Sequence, residues 1–364
     1  RDEVVACDNG RDISVDTFLA HVTALSAVLP PESYIFNLLR DRYEFTVAFA
    51  AIVAAGKCNV LPPTPRPAAL ARLAEQLPEV AVIHDDHEPF AGMNAVAFPR
   101  LASAGQSDGI PELDGRQVAA LTFTSGSSGT AMPVRKRLRT LRVAAAIYEG
   151  ALLAQGSSIV ATVPAQHMYG LELGSLQAFW SPVRFSAGKP LFPADVQAEL
   201  AGMTGDRVLV TTPLHLRALL ESGLSFPDLT RVLCATAPLD RALARRAEEV
   251  LKAPVLDVYG CSEAGCLATR RAARTEEWTP LPGFEFYDEP PGDAASKESG
   301  PIPRTLVHAG HLDEPVPLGD RLLLSQDGQF HLAGRLGDMI NVAGKRGSLG
   351  EITHLIMEVP GVED

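Results

Sequence analysis

No apolar run in this chain approaches the roughly 20 residues that a membrane-spanning helix requires. The longest candidate, FTVAFAAIVAAG (Phe45 to Gly56), reads instead as a buried helix ended by its glycine. Cysteine is sparse and unpatterned. Cys7, Cys58, Cys234, Cys261 and Cys266 make an odd number with no C-x-x-C pair. That usage excludes a disulfide framework and fits reduced, mostly buried thiols of a cytoplasmic protein. Cys261 and Cys266 have no histidine nearby, which argues against a metal site between them. Positive charge is in deficit, with a formal net charge of −12. This argues against nucleic acid as a partner but leaves room for a nucleotide held at a local positive site. Two catalytic strings are also missing. The phosphate-loop pattern G-x-x-x-x-G-K-[ST] does not occur, and GCSEAG misses the nucleophile elbow G-x-S-x-G because Ala264 takes its last position. Kinase and hydrolase readings both weaken.

What is present is ordinary globular composition, 46% hydrophobic and 21% charged, over 364 residues. That length exceeds what one core usually covers, so two or three packed subdomains are expected. Short β-branched runs alternate with helical patterns from about residue 30 to 260. YIFNLL, CNVLPP, VAVIHD, VAALTFT, SIVATVP, RVLVTTP, RVLCATAP and VLDVYG read as strands. YEFTVAFAAIVAAG, PAALARLAEQLP, RTLRVAAAIYEGALLAQG, PLHLRALLESG and DRALARRAEEVLK read as helices. The alternation predicts an α/β fold of βαβ units with mostly parallel sheets. Thr124, Pro164, Thr236 and Tyr259 fall at strand ends, where such sheets bind ligands. Beyond residue 278 the chain turns proline- and glycine-rich, and DRLLLSQDGQFHLAGR predicts a hairpin around Asp327-Gly328. A β-rich part without long helices is expected there, with a loop near 290–300 and a helical pattern returning only at GEITHLIMEVPG.

LTFTSGSSGTAMPVRK (Leu121 to Lys136) runs from a strand into hydroxyl and glycine residues. A surface turn and an anion cradle of backbone N–H groups and hydroxyls both use this composition. The strings that follow in fixed order are PAQHMYG, CATAPL, VYGCSEAG and LGDRLLLSQDGQFHLAGRLGDMINVAGKRG. Together, over about residues 120–352, they resemble the ANL superfamily of adenylate-forming enzymes: acyl- and aryl-CoA synthetases, peptide-synthetase adenylation domains and luciferases. The resemblance implies an ANL-type large N-terminal domain, with ATP and magnesium as cofactors. It also implies that Thr124, Ser125, Gly126, Ser127, Ser128 and Gly129 hold the β- and γ-phosphates while a carboxylate attacks the α-phosphate.

The remaining roles follow residue by residue from that likeness. Glu263 matches the magnesium ligand, a hard oxygen donor for a hard cation, where a helix N-terminal carboxylate is the plain alternative. Ser262 stands where the family usually has Thr and can bond the α-phosphate. In the strand Asp257, Val258, Tyr259, Gly260, Cys261, the Tyr259 ring lies against adenine and Asp257 accepts its amine. Thr236, Ala237 and Pro238 resemble the shelf under the other adenine face. Asp320 resembles the aspartate that takes both ribose hydroxyls, and Arg335 the arginine near ribose and phosphate. His167, Tyr169 and Gly170 resemble the wall of the acid pocket, with Ala235 and Gly260 nearby. RKRLRTLR (Arg135 to Arg142) leaves three readings open: a solvated helix start, a γ-phosphate contact through Lys136, or a dock for an acidic carrier protein.

The chain departs from the family pattern at several points. Ala131 and Met132 replace the usual proline and lysine after the phosphate loop, and Gly337 and Asn341 replace an acid and a lysine in the hinge. The expected organisation is α/β subdomains over 1–278, a β-rich subdomain over 279–333, a hinge at 334–341, and the start of a truncated C-terminal domain at 342–364. The family's catalytic lysine is expected beyond residue 364, so this stretch is expected to bind ATP and acid but to adenylate about 10²–10³-fold more slowly. LLRDRYEFTVAFAAIVAAGKCNVLPPTPRP and VPAQHMYGLE resemble, more loosely, the ligases of aryl-polyene pigment pathways that load hydroxybenzoates onto an acyl carrier protein. The expected substrate is therefore an aromatic carboxylic acid and the expected acceptor a carrier-protein thiol. A fatty acid, free CoA as acceptor, and a catalytically degenerate nucleotide- or acyl-binding regulator are the alternatives.

Overall fold

The computed structural model describes residues 3–85, 92–99, 109–125, 131–289, 304–335, 339–342 and 345–348, with backbone alone for Ser125, Ala131 and the last two stretches. The chain divides into two compact units, Arg1–Cys266 with Arg271–Ala273, and Leu267–Arg270 with Arg274–Asp364.

The first unit opens with the antiparallel strands β1 (Val4–Asp8) and β2 (Arg11–Ser14), then α1 (Val15–Ser26). Six strands follow, β3 (Tyr34–Asn37), β4 (Cys58–Val60), β5 (Val80–His84), β6 (Asn94–Ala97), β7 (Val118–Ser125) and β8 (Ala131–Arg137), with α2 (Arg42–Ala54) and α3 (Pro67–Ala74) between them. They form a sheet in the order β6-β5-β3-β4-β7-β8, parallel except for β8. α2 starts where the Asp41 side chain accepts from the Glu44 N–H, and most of the helix is buried, as its apolar run predicts. Gly56 just past it sits at φ +74°, the left-handed position that glycine takes without penalty.

The larger sheet takes its strands from the rest of this unit. After α4 (Leu138–Ala151) come β9 (Ser158–Ala161), α5 (Met168–Gly174), β10 (Arg184–Ser186), α6 (Pro193–Gly202), β11 (Arg207–Thr211), α7 (Pro213–Glu221), β12 (Arg231–Cys234), α8 (Arg241–Leu251), β13 (Val255–Cys261) and β14 (Gly265–Arg270). Strands β13-β12-β11-β9-β10-β1 lie side by side in parallel. Their continuous apolar runs fit a sheet covered on both faces. One buried cluster joins Leu209 and Val232 of the sheet to Leu216 and Leu219 of α7 and Leu243 and Ala247 of α8.

The second unit is built of strands alone among the described residues. Leu267–Arg270 of β14 pairs with β15 (Thr279–Pro280), and β16 (Phe284–Asp288), β17 (Thr305–Ala309) and β18 (Val316–Pro317) form an antiparallel sheet. β19 (Asp320–Leu324) and β20 (Phe330–Arg335) form the hairpin expected around Asp327-Gly328, with Gly328 at φ +84°. β21 (Met339–Val342) pairs with β22 (Lys345–Ser348). The Trp278 ring stacks on Phe330 at 9°, centroids 6.4 Å apart, and Arg270 covers the Trp278 ring at 4.7 Å.

The α/β class and the parallel strands agree with the sequence reading. α1, α5, α6 and the strands β1, β2, β6, β8, β10 and β14 lie outside the patterns read from it. β8 is the instructive case: residues 131–137 pair antiparallel with β7, so Arg135, Lys136 and Arg137 of the basic run are strand and α4 begins only at Leu138. The loop at 290–300, Gly337, and the helical pattern GEITHLIMEVPG fall outside the described residues.

Candidate active site

Parallel register brings the site's loops to one edge of the larger sheet. Ala161 pairs with Val210, Leu233 with Val210, and Cys234 with both Thr211 and Asp257. The carboxyl ends of β9, β11 and β12 therefore lie level, beside Asp257 of β13. From this edge leave the loop toward His167, the loop Ala235–Pro238, and the end of β13 leading to Glu263. Ala235 is buried and its N–H donates to Thr211 O at 3.2 Å, while Thr236, Ala237 and Pro238 are exposed. Thr236 stands at φ +83°, a strained conformation for a β-branched residue. The backbone there forms a fixed, exposed step, as a shelf requires.

On β13, Asp257, Val258 and Tyr259 are buried, whereas Gly260 is exposed. A Cβ on Gly260 would overlap the Gly265 carbonyl, so only glycine lets β13 pass β14 this closely. Ser262, Glu263 and Ala264 form the turn between the two strands, with Ser262 and Glu263 half-buried. Glu263 is not at a helix N-terminus, so the helix-dipole alternative for it falls away. Burial pushes the Cys261 thiol up to about 12 and raises Cys266 as well, so neither cysteine is a thiolate nucleophile near neutral pH.

Beneath this turn lies a polar cluster absent from the sequence reading. Lys136 points inward from β8, because alternation along the strand sends Arg135 out and Lys136 in. It is 2% exposed, and its ammonium donates to the Glu263 carbonyl at 2.8 Å. A surface position is thereby corrected for Lys136 alone, since Arg139 and Arg142 at the start of α4 are exposed. The residue belongs to a strand, and its charge is committed to backbone inside the protein. Glu172, on α5, is also buried, and it accepts a hydrogen bond from Tyr148 of α4 at 3.0 Å. The same Tyr148 hydroxyl accepts from the Cys266 N–H at 2.9 Å. Burial lowers the Lys136 pKa and raises that of Glu172, while their mutual attraction opposes both shifts. Gly265 closes the turn at φ +82°, and a Cβ there would lie 2.7 Å from both the Glu172 carboxylate and the Tyr148 hydroxyl.

α5 carries the residues expected to line the acid pocket. His167 precedes the helix and is exposed, yet the surrounding protein desolvates its ring enough to lower its pKa. Gly170 is buried and faces the loop rather than a pocket: a Cβ would overlap the Pro164 carbonyl, so glycine is what lets α5 pack there. Tyr169 is half-buried, and its buried hydroxyl, near a Thr211 backbone group, makes no hydrogen bond that meets the usual geometry among the described residues. Burial, then the acidic neighbours Cys234, Cys266 and Asp257, raise its pKa. Arg42 of α2 secures the preceding loop from below, donating to Ala161 O at 3.0 Å and Val163 O at 2.6 Å.

In the second unit, hairpin register explains a spacing. Asp320 and Arg335, fifteen residues apart, are directly paired across β19 and β20, with Arg335 Nε 3.4 Å from Asp320 Oδ1. Their side chains are 24% and 73% exposed, respectively.

Thr124, half-buried, is the next-to-last residue of β7; Ser125, which ends it, is described by backbone only, and Gly126, Ser127, Ser128 and Gly129 lie outside the described residues. Among the described residues, no group of three or more His, Cys, Asp or Glu could hold a metal ion, and no helix is long and apolar enough to cross a membrane. Glu263 nonetheless fits magnesium: it offers one hard oxygen ligand, and no described side chain hydrogen-bonds its carboxylate.

A parallel α/β sheet with these loops at its carboxyl edge defines a nucleotide-binding type of enzyme fold. The chain belongs to the AMP-binding enzyme family, which matches residues 1–286. It is 29% identical over 247 residues to the 4-coumarate–CoA ligase of Rhodobacter capsulatus, covering 67% of this chain and 59% of that protein. It is 24% identical over 311 residues to the 3,4-dihydroxybenzoate–[aryl-carrier protein] ligase of Bacillus anthracis, covering 83% of this chain and 67% of that one. The fold superposes on ATP-bound MatB from Rhodopseudomonas palustris with a TM-score of 0.82 at 18% identity, covering 100% of this chain and 82% of that one. The chain thus spans about three fifths of the length of the first of these relatives.

Proposed function

We propose that this chain binds the nucleotide and the acid in an ATP-dependent ligase that activates an aromatic carboxylic acid as its acyl-adenylate and passes the acyl group to a thiol. The observation that carries this reading is the Glu263 turn, fixed at the carboxyl edge of a parallel sheet beside the exposed Thr236–Pro238 step. In the first half-reaction a carboxylate oxygen attacks the α-phosphorus and the bond to the pyrophosphate oxygen breaks. In the second, the thiol sulfur attacks the acyl carbon and AMP leaves. Both partners of the first step are anions, so the protein's work is positioning and charge neutralisation.

Thr236, Ala237 and Pro238 hold one face of adenine, and Tyr259 and Asp257 approach from β13. The Ser262 hydroxyl donates to an α-phosphate oxygen. Asp320 accepts the ribose hydroxyls, and Arg335, 3.4 Å from that carboxylate, stands near ribose and phosphate. His167 is neutral near pH 7, because desolvation lowers its pKa, so it orients the acid carboxylate by a hydrogen bond and not by charge. Magnesium, when bound at Glu263, would offset the negative charge between acid and triphosphate. Residues 334–341 act as a hinge in this reading.

The aromatic substrate is supported by two relatives whose names specify coumarate and dihydroxybenzoate. A carrier-protein acceptor is supported by the aryl-carrier relative and by the exposed Arg135, Arg139 and Arg142, a basic patch on a chain of net charge −12. The high thiol pKa values of Cys261 and Cys266 agree with an acceptor thiol supplied from outside.

The test is thermal unfolding with non-hydrolysable 3-hydroxybenzoyl, 4-hydroxybenzoyl, cinnamoyl and octanoyl adenylate mimics. A mimic at about 1,000 times its Kd adds roughly 4 kcal/mol of stability. A shift confined to the hydroxybenzoyl mimics is expected. Preference for octanoyl would overturn the aromatic substrate, and no shift with any mimic or with ATP and magnesium would overturn the ligase reading.

A further inference from the structure

The mechanism above leaves one cluster unused: the buried Lys136, Glu172 and Tyr148 under the β13–β14 turn. We infer that Lys136 and Glu172 act as a matched pair whose task is to position the Glu263 turn, with Lys136 as its anchor. This rests on the proposed role of Glu263 as the magnesium ligand.

Three observations carry it. The turn and the strand that follows it are each tied, by Lys136 Nζ to the Glu263 carbonyl at 2.8 Å and by the Cys266 N–H to Tyr148 Oη at 2.9 Å. Tyr148 is in turn fixed by its bond to Glu172 at 3.0 Å. And Gly265 leaves no room for a Cβ between the turn and these two side chains, so the strand sits directly on the cluster. With its carbonyl bonded to Lys136, the half-buried Glu263 keeps a carboxylate that no described side chain hydrogen-bonds.

The choice of a charged anchor has a consequence. A bond from an ammonium to a carbonyl is stronger than one from a neutral donor, and so holds the turn more firmly. A lone buried cation beside a magnesium ligand, however, would repel the ion. Glu172 cancels that charge within the same cluster, so the anchor is rigid without weakening the cation site. Neither residue touches substrate, so both are positioning residues. Lys136 lies far along the sequence from Glu263, on a different sheet, and the two are coupled through one hydrogen bond.

The test measures equilibrium ATP binding by calorimetry as a function of magnesium concentration, beside binding of a metal-independent acyl-adenylate mimic. Lys136→Met alone strands a buried carboxylate and is expected to unfold easily. The double variant Lys136→Met/Glu172→Leu removes both charges and keeps the fold testable. It is expected to need at least tenfold more magnesium for half-maximal ATP binding, with a smaller loss of affinity for the mimic, which meets Ser262 of the same turn but no metal. Leu70→Ala, a core truncation in α3, is the control for lost stability and is expected to leave the magnesium midpoint in place. A double variant with the parent's magnesium midpoint would overturn the inference, as would a Leu70→Ala midpoint that moves equally. If the parent chain shows no magnesium-dependent ATP binding, the functional reading itself fails and this inference falls with it.

Discussion

The Glu263 turn and the Asp320–Arg335 pair make an instructive contrast. Both present a carboxylate that the proposed reaction uses, and both sit where strands meet. The Glu263 turn rests on buried groups: Lys136 is 2% exposed and Glu172 6%. The Asp320–Arg335 pair rests on hairpin register, with Arg335 73% exposed. In the first region, removing one partner leaves an uncompensated charge in the interior. In the second, water replaces the partner. Geometry held by buried charge is coupled to the stability of the fold, whereas geometry held by register is nearly independent of it.

Each half of that contrast can be broken. The largest effect is expected for Lys136→Met, which should cost about 3–5 kcal/mol of stability by leaving Glu172 unpaired, measured by chemical denaturation of the chain. A loss under 1 kcal/mol would mean that the buried side is no more coupled than the exposed one. Next comes Glu263→Gln. Its side chain is half-buried and lacks a described partner, so the unfolding temperature should hold while magnesium-dependent pyrophosphate exchange falls about 10²–10³-fold. A matching fall in unfolding temperature would show that the carboxylate itself is structural.

Asp320→Asn is expected to raise the ATP concentration for half-saturation about tenfold, with stability unchanged within about 0.5 kcal/mol. A large stability loss there would erase the contrast. The smallest effect concerns pH. His215, at the start of α7, bonds Thr162 Oγ1 at 3.0 Å, and burial lowers its pKa from the ordinary value near 6.5. A base with a lowered folded pKa takes up its proton more readily when unfolded. Its contribution is therefore present above about pH 6.5 and is lost as pH falls through the lower folded value. The unfolding temperature should drop modestly from pH 7 to pH 5, and His215→Gln should flatten that slope.

Much of this molecule is legible in its residues. The alternating patterns mark the parallel strands because each buried strand needs an unbroken apolar run, and some helix starts, those of α2 and α8 among them, show a capping residue, Asp41 and Asp240. The Asp327-Gly328 turn fixes the hairpin, and the hairpin fixes the Asp320–Arg335 register. Lys136 marks the limit. In the string RKRLRTLR it reads as a cation of a helix start, of a phosphate contact or of a docking patch, because charge density is a property of neighbours in sequence. Burial is a property of the pleat: pairing with β7 sends alternate side chains to opposite faces, and Lys136 falls on the inner one. Glu172, similarly, looks like a polar residue on a short helix until α5 packs beneath β14.

The sequence by itself determined the fold class, most of the parallel strands and the helices between them, and the residue types offered at each strand end, because these depend on periodicity and turn chemistry within a few residues. Only the tertiary structure decided which charges are buried together, since bringing Lys136, Tyr148 and Glu172 under one turn requires β8, α4, α5 and the β13–β14 turn to pack around the same point. A buried charge is tolerated only where its partner is already in place, and that is a condition no local stretch of sequence can meet.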